Sequence, residues 1–236
     1  MHIFKYGNKS SRDFDVVISG QDTWKKPAPR VERLSVPGRN GDIVTFDGSY
    51  ENVDIPYHCG IQRHFDLKYT SLMNYLMSHP GYNRLEDSYH PNVFRLAAFI
   101  ASDDPTLGTL NRSGEFDLTF NCKPQSFLKN GEIKKEFTAA GTIYNPTLYT
   151  SKPLLRVFGT GTFTIGSDIV TITQADGYTD FDCDVEDAYK DDASHNCNSY
   201  VQFSGDHFPT IPPGEQGVSL GSGITKIEII PRWWVL

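Results

Sequence analysis

The chain has none of the spacings that mark a metal site, a bilayer span or an export leader. Its four cysteines, Cys59, Cys122, Cys183 and Cys197, contain no C-x-x-C pair, so zinc or redox pairing is not indicated. The seven histidines form no H-x-x-x-H or H-x-E pattern, and no cofactor is expected. No window approaches the roughly 18 apolar residues of a transmembrane helix. The opening MHIFKYGNKSSRDFDVV has no continuous apolar run of the secretory kind, so a soluble protein without an export signal is expected. Basic charge is also short: 22 Lys and Arg stand against 29 Asp and Glu, for a formal net charge of -7. That balance disfavours the phosphate neutralisation on which generic nucleic-acid binding depends. Neither specific nucleic-acid binding nor membrane insertion is expected.

What is present is period-2 alternation. In GEFDLTFNC (114–122), Phe116, Leu118 and Phe120 share one side, and Glu115, Asp117 and Thr119 the other, the pattern of a half-buried strand. Segments 52–59, 92–100, 153–159, 162–173, 180–186 and 224–231 read the same way, with GSD (166–168) as a hairpin turn. Cys59, Cys122 and Cys183 fall in register with these alternations and are expected as small buried thiols; Cys197, in a polar loop, is expected to be reachable. One stretch has helical spacing: after Asp66 as N-cap, Tyr69, Met73, Leu76 and Met77 share a face until His79-Pro80-Gly81. The polar KNGEIKKEF (129–137) interrupts the alternation and is the best linker candidate. With 236 residues, the chain is long enough for one large β domain or two of ordinary size.

Four motifs imitate chemistry, and each fails on context. GVSLG (217–221) fits the nucleophile elbow, yet a β-like segment follows Ser219 where a helix is required, and no histidine lies beyond His207, so an ordinary Gly/Ser turn is expected there. Asp180, Asp182, Asp184 and Asp191 imitate a calcium loop, but Val185 stands where glycine is needed for the sharp turn. Phe181, Cys183 and Val185 are more simply the buried side of a strand whose outer side is acidic. Glu186 and Asp206 could serve as a glycosidase pair, but nothing in their spacing selects them. Gly159-Thr160-Gly161 leads into a strand, so it lacks the helix N-terminus of a phosphate loop and reads as a turn.

Two features remain. In PGRNGDIVTFDG (37–48), Pro37-Gly38 opens a turn, Asn40-Gly41 tolerates positive φ, and Ile43, Val44 and Phe46 form the strand leaving it. Trp233 and Trp234 stand side by side, so in an extended segment they point to opposite faces. One is expected in a core. The other needs a second domain, a partner subunit or a ligand, with packing favoured over sugar stacking.

Six ordered pieces, PGRNGDIVTFDGSYENVDIPYHC (37–59), PGYNRLEDSYHP (80–91), FDLTFNCKPQSFL (116–128), NPTLYTSKPLLRVFGTG (145–161), DCDVEDAY (182–189) and ITKIEIIPRWWVL (224–236), together resemble the distal tail protein (Dit) family of siphophage-type bacteriophages. The resemblance covers nearly the whole chain. It implies a mainly β, non-enzymatic virion protein: an α+β N-terminal domain (1–130), sandwich or barrel-like with one helix, and a galectin-like β-sandwich (131–236). Segment 224–236 either completes that sandwich or returns to brace the N-terminal domain, and the paired tryptophans favour bracing.

The resemblance further implies a homohexameric ring that joins the tail tube protein to the tail-associated baseplate protein. Receptor-binding proteins attach at the periphery in some members, and DNA crosses the lumen. The location implied is the virion tail tip, after assembly in the host cytoplasm. In a ring, Arg39, Asn40 and Asp42 suit an inter-subunit or hub contact, and Trp233 and Trp234 suit domain or partner packing. The alternative reading is a carbohydrate-binding β-sandwich module for host adhesion.

Overall fold

The computed structural model describes residues 2–20, 23–108, 110 and 112–236. It is mainly β, with one α-helix among the described residues. The chain divides into two compact units, Met1–Ser126 with Leu236, and Phe127–Val235.

The first unit contains β1 (Phe4–Tyr6), β2 (Lys9–Ser10), β3 (Val16–Ile18), β4 (Pro29–Leu34), β5 (Ile43–Tyr50) and β6 (Val53–Ile61), then helix α1 (Phe65–Met77). It continues with β7 (Asn83–Asp87), β8 (Val93–Ser102), β9 (Thr106–Leu107) and β10, which starts at Gly114 and runs on to Leu128. Its main sheet has the order β2-β1-β7-β8-β10-β6-β3, while β4 and β5 form a separate two-stranded ribbon. The alternation read at 114–122 sets this sheet: Phe116 pairs with Cys59, Leu118 with Tyr57 and Phe120 with Ile55. All six side chains are buried in one core together with Phe4, Tyr6, Leu72 and Leu76. Each such large apolar side chain contributes about 1.5–3 kcal/mol by leaving water.

Helix α1 starts earlier than its sequence suggests. Asp66 lies inside the first turn, where its charge complements the helix dipole. The N-cap is His64, in the left-handed region (φ 54°) and without a side-chain cap bond. The core decides this start, because Phe65 is needed against Phe116 at 6.0 Å and stacks on Tyr69 at 5.2 Å. Leu72, Met73, Tyr75 and Leu76 are buried, whereas Met77, expected on the same face, is exposed.

The second unit holds β11 (Lys135–Phe137), β12 (Gly141–Asn145), β13 (Leu154–Gly159), β14 (Gly161–Ile165), β15 (Asp168–Ile172) and β16 (Tyr178–Asp182). It goes on with β17 (Asp187–Lys190), β18 (Asp192–Asn196), β19 (Val201–Phe203), β20 (Gly214–Leu220) and β21 (Ile224–Ile230). One sheet has the order β11-β21-β13-β16-β17-β18, and the other β12-β20-β14-β15-β19. Their inner faces share a core in which Leu155, Val157, Phe181, Ile227 and Ile229 meet Phe163, Ile165, Val170, Ile172 and Val218. This is a β-sandwich.

Three local readings are corrected here. Segment 129–137 is not a linker: Lys129–Glu132 forms a 3-10 turn and Lys135–Phe137 is strand β11, paired with β21. The expected strand 180–186 ends at Asp182, so Cys183 is buried while Val185 is 67% exposed. Ser219 lies within β20, not in a turn, and its hydroxyl bonds that of Thr164 across the strand pair at 2.6 Å. The GSD turn does join β14 to β15, with Ile165 opposite Asp168. The Gly159-Thr160-Gly161 link is tighter than an ordinary turn. A Cβ at Gly161 would lie 2.2 Å from the Ser222 carbonyl oxygen, and φ there is +140°, so only glycine fits.

Candidate functional site

The β4–β5 ribbon is the most conspicuous feature with chemistry left over. Leu34 pairs with Ile43, Arg33 with Val44, Glu32 with Thr45 and Val31 with Phe46. Opposite residues share a face, so Val31, Phe46, Val44 and Arg33 lie on one side and Leu34, Ile43, Glu32 and Thr45 on the other. Neither side is covered, and Leu34 and Val44 are each 58% exposed.

Near its base the register slips between Pro29 and Val31. There Gly48 has φ +86°, and the Asp47 carboxylate accepts from the Ser49 amide and hydroxyl, both at 2.7 Å. Those two bonds, the hydroxyl's first, hold the Asp47 carboxyl below its ordinary range. The result is a bulge that twists the ribbon.

The turn at the tip spans residues 35–42 and uses the residues the sequence singled out. Gly38 (φ +80°) and Gly41 (φ +79°) take left-handed backbone, and the Arg39 amide donates to the Val36 carbonyl at 3.1 Å. Arg39, Asn40 and Asp42 are all exposed. Their side chains have no partner among the described residues. The tip therefore presents a cation, an amide and an anion on a scaffold that exposes apolar side chains below them.

The paired tryptophans sit in the second unit. Arg232 adopts left-handed backbone (φ 58°), and its guanidinium makes two bonds to the Asp182 carboxylate at 2.6 and 3.0 Å. Burial alone would raise the Asp182 carboxyl; the Arg232 hydrogen bond and charge outweigh it and leave the group below its ordinary range. Trp233 is 2% exposed and belongs to the core. Trp234 stacks on Tyr149 at 4.3 Å and donates its indole N–H to the Thr150 carbonyl at 3.0 Å.

Gly131 and Tyr149 are the residues that sequence reasoning missed. A Cβ at Gly131 would meet the Trp233 amide nitrogen at 2.5 Å, and the Gly131 carbonyl accepts from the Arg232 amide. The polar run around Gly131 is thus the seat of Trp233. Its only signal in sequence is the Asn130-Gly131 pair, which reads as a turn and not as a packing site.

The other candidates resolve into structural contacts. Asp180 is bound by Arg156 and Asp182 by Arg232, so two of the three aspartates of that segment are ion-paired, while Asp184 is exposed. Among the described residues, no group of three His, Cys, Asp or Glu side chains could hold a metal ion. Burial raises the thiols of Cys59, Cys122 and Cys183, that of Cys122 to about 12, far from reactive thiolate character. Cys197 is half-buried. In the first unit, buried Asp87 accepts from the Tyr57 hydroxyl at 2.8 Å and from the Tyr89 and His90 amides, with Arg95 3.6 Å away. This cluster closes the β7–β8 connection.

No protein-family profile matches the chain, and no curated protein matches it in sequence. Solved structures do. The Dit protein of phage SPP1, described as a paradigm of the hub adsorption apparatus in phages infecting Gram-positive bacteria, superposes with a TM-score of 0.75 and 13% identity, covering 100% of both chains. The chain has the Dit fold. The phage P2 baseplate in its activated conformation with calcium contains a second similar chain, with a TM-score of 0.54, 12% identity, and 97% of this chain and 98% of that one covered. The strontium form of that baseplate gives 0.52 at 10% identity over the same shares. The Dit fold spans the whole sequence, both units included.

Proposed function

We propose that the protein is a non-enzymatic distal tail hub. Six copies form a ring that joins the end of a phage tail tube to the tail-tip or baseplate machinery, and DNA passes through its lumen. The observation that carries this reading is the full-length Dit fold, shared with a hub protein over 100% of both chains.

Two features of the chain support it. A two-stranded ribbon with both faces and both edges in solvent is marginal by itself, and a closed ring of identical subunits supplies a different neighbouring surface for it in each copy. Arg39, Asn40 and Asp42 at its tip are then contact residues of the ring or of the hub axis. Charge distribution is the second feature. Residues 1–126, which form the ring in this reading, carry 14 basic and 15 acidic side chains, whereas residues 127–236 carry 8 and 14. A near-neutral ring unit leaves transiting phosphates little to bind. The second unit, a galectin-like sandwich, serves as the peripheral attachment point for adhesion proteins.

Light scattering on the purified chain, combined with negative-stain imaging, is expected to show six-fold rings with a central hole. A chain that stays monomeric both alone and beside its tail-tube and tail-tip partners would overturn the proposal.

A further inference from the structure

The sequence holds two Asn-Gly pairs, Asn40-Gly41 and Asn130-Gly131, and two Asp-Gly pairs, Asp47-Gly48 and Asp176-Gly177. Asparagine is thermolabile, and its weakness is greatest before glycine. The glycine amide nitrogen attacks the asparagine side-chain carbonyl carbon, because no Cβ shields that nitrogen and the backbone can turn to bring it close. In a folded chain the reaction needs a backbone free to turn and a side chain that is a good electrophile. The four pairs differ in both.

Asn40-Gly41 meets both conditions. It lies in the tip turn, between the bond from the Arg39 amide to the Val36 carbonyl and the first ladder pair, Leu34 with Ile43. Both residues are exposed, and among the described residues neither the Asn40 side chain nor the Gly41 amide has a hydrogen-bond partner. A Cβ placed on Gly41 would meet nothing within 4 Å. The Asn40 carboxamide can therefore swing over the Gly41 nitrogen without breaking a contact.

The other three pairs are held off. Asn130-Gly131 is part of the 3-10 turn Lys129–Glu132, where the Asn130 carbonyl accepts from the Ile133 amide and the Gly131 carbonyl from the Arg232 amide. Gly131 is buried, and a Cβ there would lie 2.5 Å from the Trp233 amide nitrogen. Turning that peptide would lift it off Trp233, so ring closure has to wait for local opening. An aspartate closes the ring only as its neutral acid. The Ser49 hydroxyl and amide hold the Asp47 carboxyl below its ordinary range, and the Lys190 ammonium, 2.5 Å away, does the same for Asp176.

We propose that Asn40 deamidates spontaneously through a succinimide formed with Gly41, while the other three pairs stay intact. The Gly41 nitrogen gives its proton to solvent hydroxide and bonds to the Asn40 side-chain carbonyl carbon. The bond from that carbon to Nδ2 breaks, and the nitrogen leaves as ammonia with a proton taken from water. Water then opens the ring: at the side-chain carbonyl it leaves aspartate, and at the backbone carbonyl isoaspartate, with one more carbon in the main chain. Nothing is oxidised or reduced. Either product adds a carboxylate between Arg39 and Asp42, whose charges otherwise balance. The chemistry belongs to the single subunit and does not rest on the ring; in a ring, the new charge would fall among the contact residues.

Peptide mapping by mass spectrometry tests this on the full chain kept for days in mildly alkaline buffer, with aspartate and isoaspartate peptides separated by chromatography. It is run on the monomeric fraction and on Phe46→Ser, while light scattering reports assembly separately. The peptide containing Asn40 is expected to yield both products, faster as pH rises because the amide must lose its proton. It should convert at least about tenfold faster than the peptide containing Asn130, which reacts only on local opening. In guanidinium chloride the two peptides should convert at similar rates. An Asn40 that survives in the folded monomer, equal rates at Asn40 and Asn130 in the folded chain, or isoaspartate forming at Asp47 or Asp176 as fast as at Asn40 would overturn the proposal. None of these outcomes depends on whether the chain forms a ring.

Discussion

Hairpin β4–β5 leaves Val31, Leu34, Ile43, Val44 and Phe46 between 37% and 58% exposed, whereas hairpin β14–β15 buries Phe163, Ile165, Val170 and Ile172 to 1% or less. Both are antiparallel pairs of β-branched and aromatic residues joined by glycine-containing turns. In the second, the apolar side meets the opposite sheet of the sandwich, where Phe163 approaches Phe181 at 5.9 Å. In the first no second layer exists among the described residues. The difference teaches that β pattern specifies a hairpin, while burial depends on whether another layer is there to receive it. In the ring proposed above, a ribbon that keeps apolar residues on both faces without a layer would receive one from a neighbouring copy.

The largest test of this contrast is Phe163→Ala. Removing a fully buried ring is expected to cost about 3–5 kcal/mol, read as a lowered urea midpoint of the second unit; a loss below about 1 kcal/mol would mean that the sandwich core is not close-packed. Next comes Arg232→Ala, which unpairs Asp182 and removes two charge-assisted bonds, at about 1.5–3 kcal/mol. Because the Asp182 carboxyl is lowered on folding, the stabilisation from this pair is present above the unfolded carboxylate value of 3.8 and is lost as pH falls through the folded one. The parent protein should therefore lose this stabilisation below about pH 4, and the variant should show a shallower loss. Identical acid limbs would remove the pair from the account.

The smallest change in subunit stability, and the sharpest separation of the two hairpins, is expected at the ribbon. Phe46→Ser should alter the denaturation midpoint of the subunit by less than about 0.5 kcal/mol, yet abolish ring formation in light scattering. Arg39→Ala with Asp42→Ala should weaken assembly to a lesser degree, without changing the fold. Normal rings from both variants would detach the ribbon from assembly.

Strand alternation made the central strands legible, β6, β8 and β10 in the first sheet and β13 to β16 with β21 in the sandwich, and Phe116, Leu118, Phe120 and Cys122 announce their own burial. The turn at 37–42 was also legible, because Gly38 and Gly41 stand where left-handed backbone is required. Other features were hidden for identifiable reasons. Val185 has the apolar character of a strand residue, but the chain turns at Cys183, and the ion pair from Arg232, fifty positions away in sequence, holds the Asp182 end of that turn. Segment 129–137 has the polar composition of a linker, and its place in the sandwich depends on Trp233 filling the space above Gly131. Asp180 and Asp182 read as solvated charge because their arginine partners are distant in sequence, Arg156 on β13 and Arg232 in the segment after β21.

By itself the sequence determined the central strands of both units, the buried register of three thiols and several of the turns, because these follow from period-2 patterning and from the φ that glycine alone adopts readily. Tertiary structure decided what each strand faces. It gave Trp233 a core and Trp234 a stacking partner, matched Asp180 with Arg156 and Asp182 with Arg232, and left the ribbon uncovered. Those outcomes rest on contacts between residues far apart in sequence, and a local pattern carries no information about the distant partner.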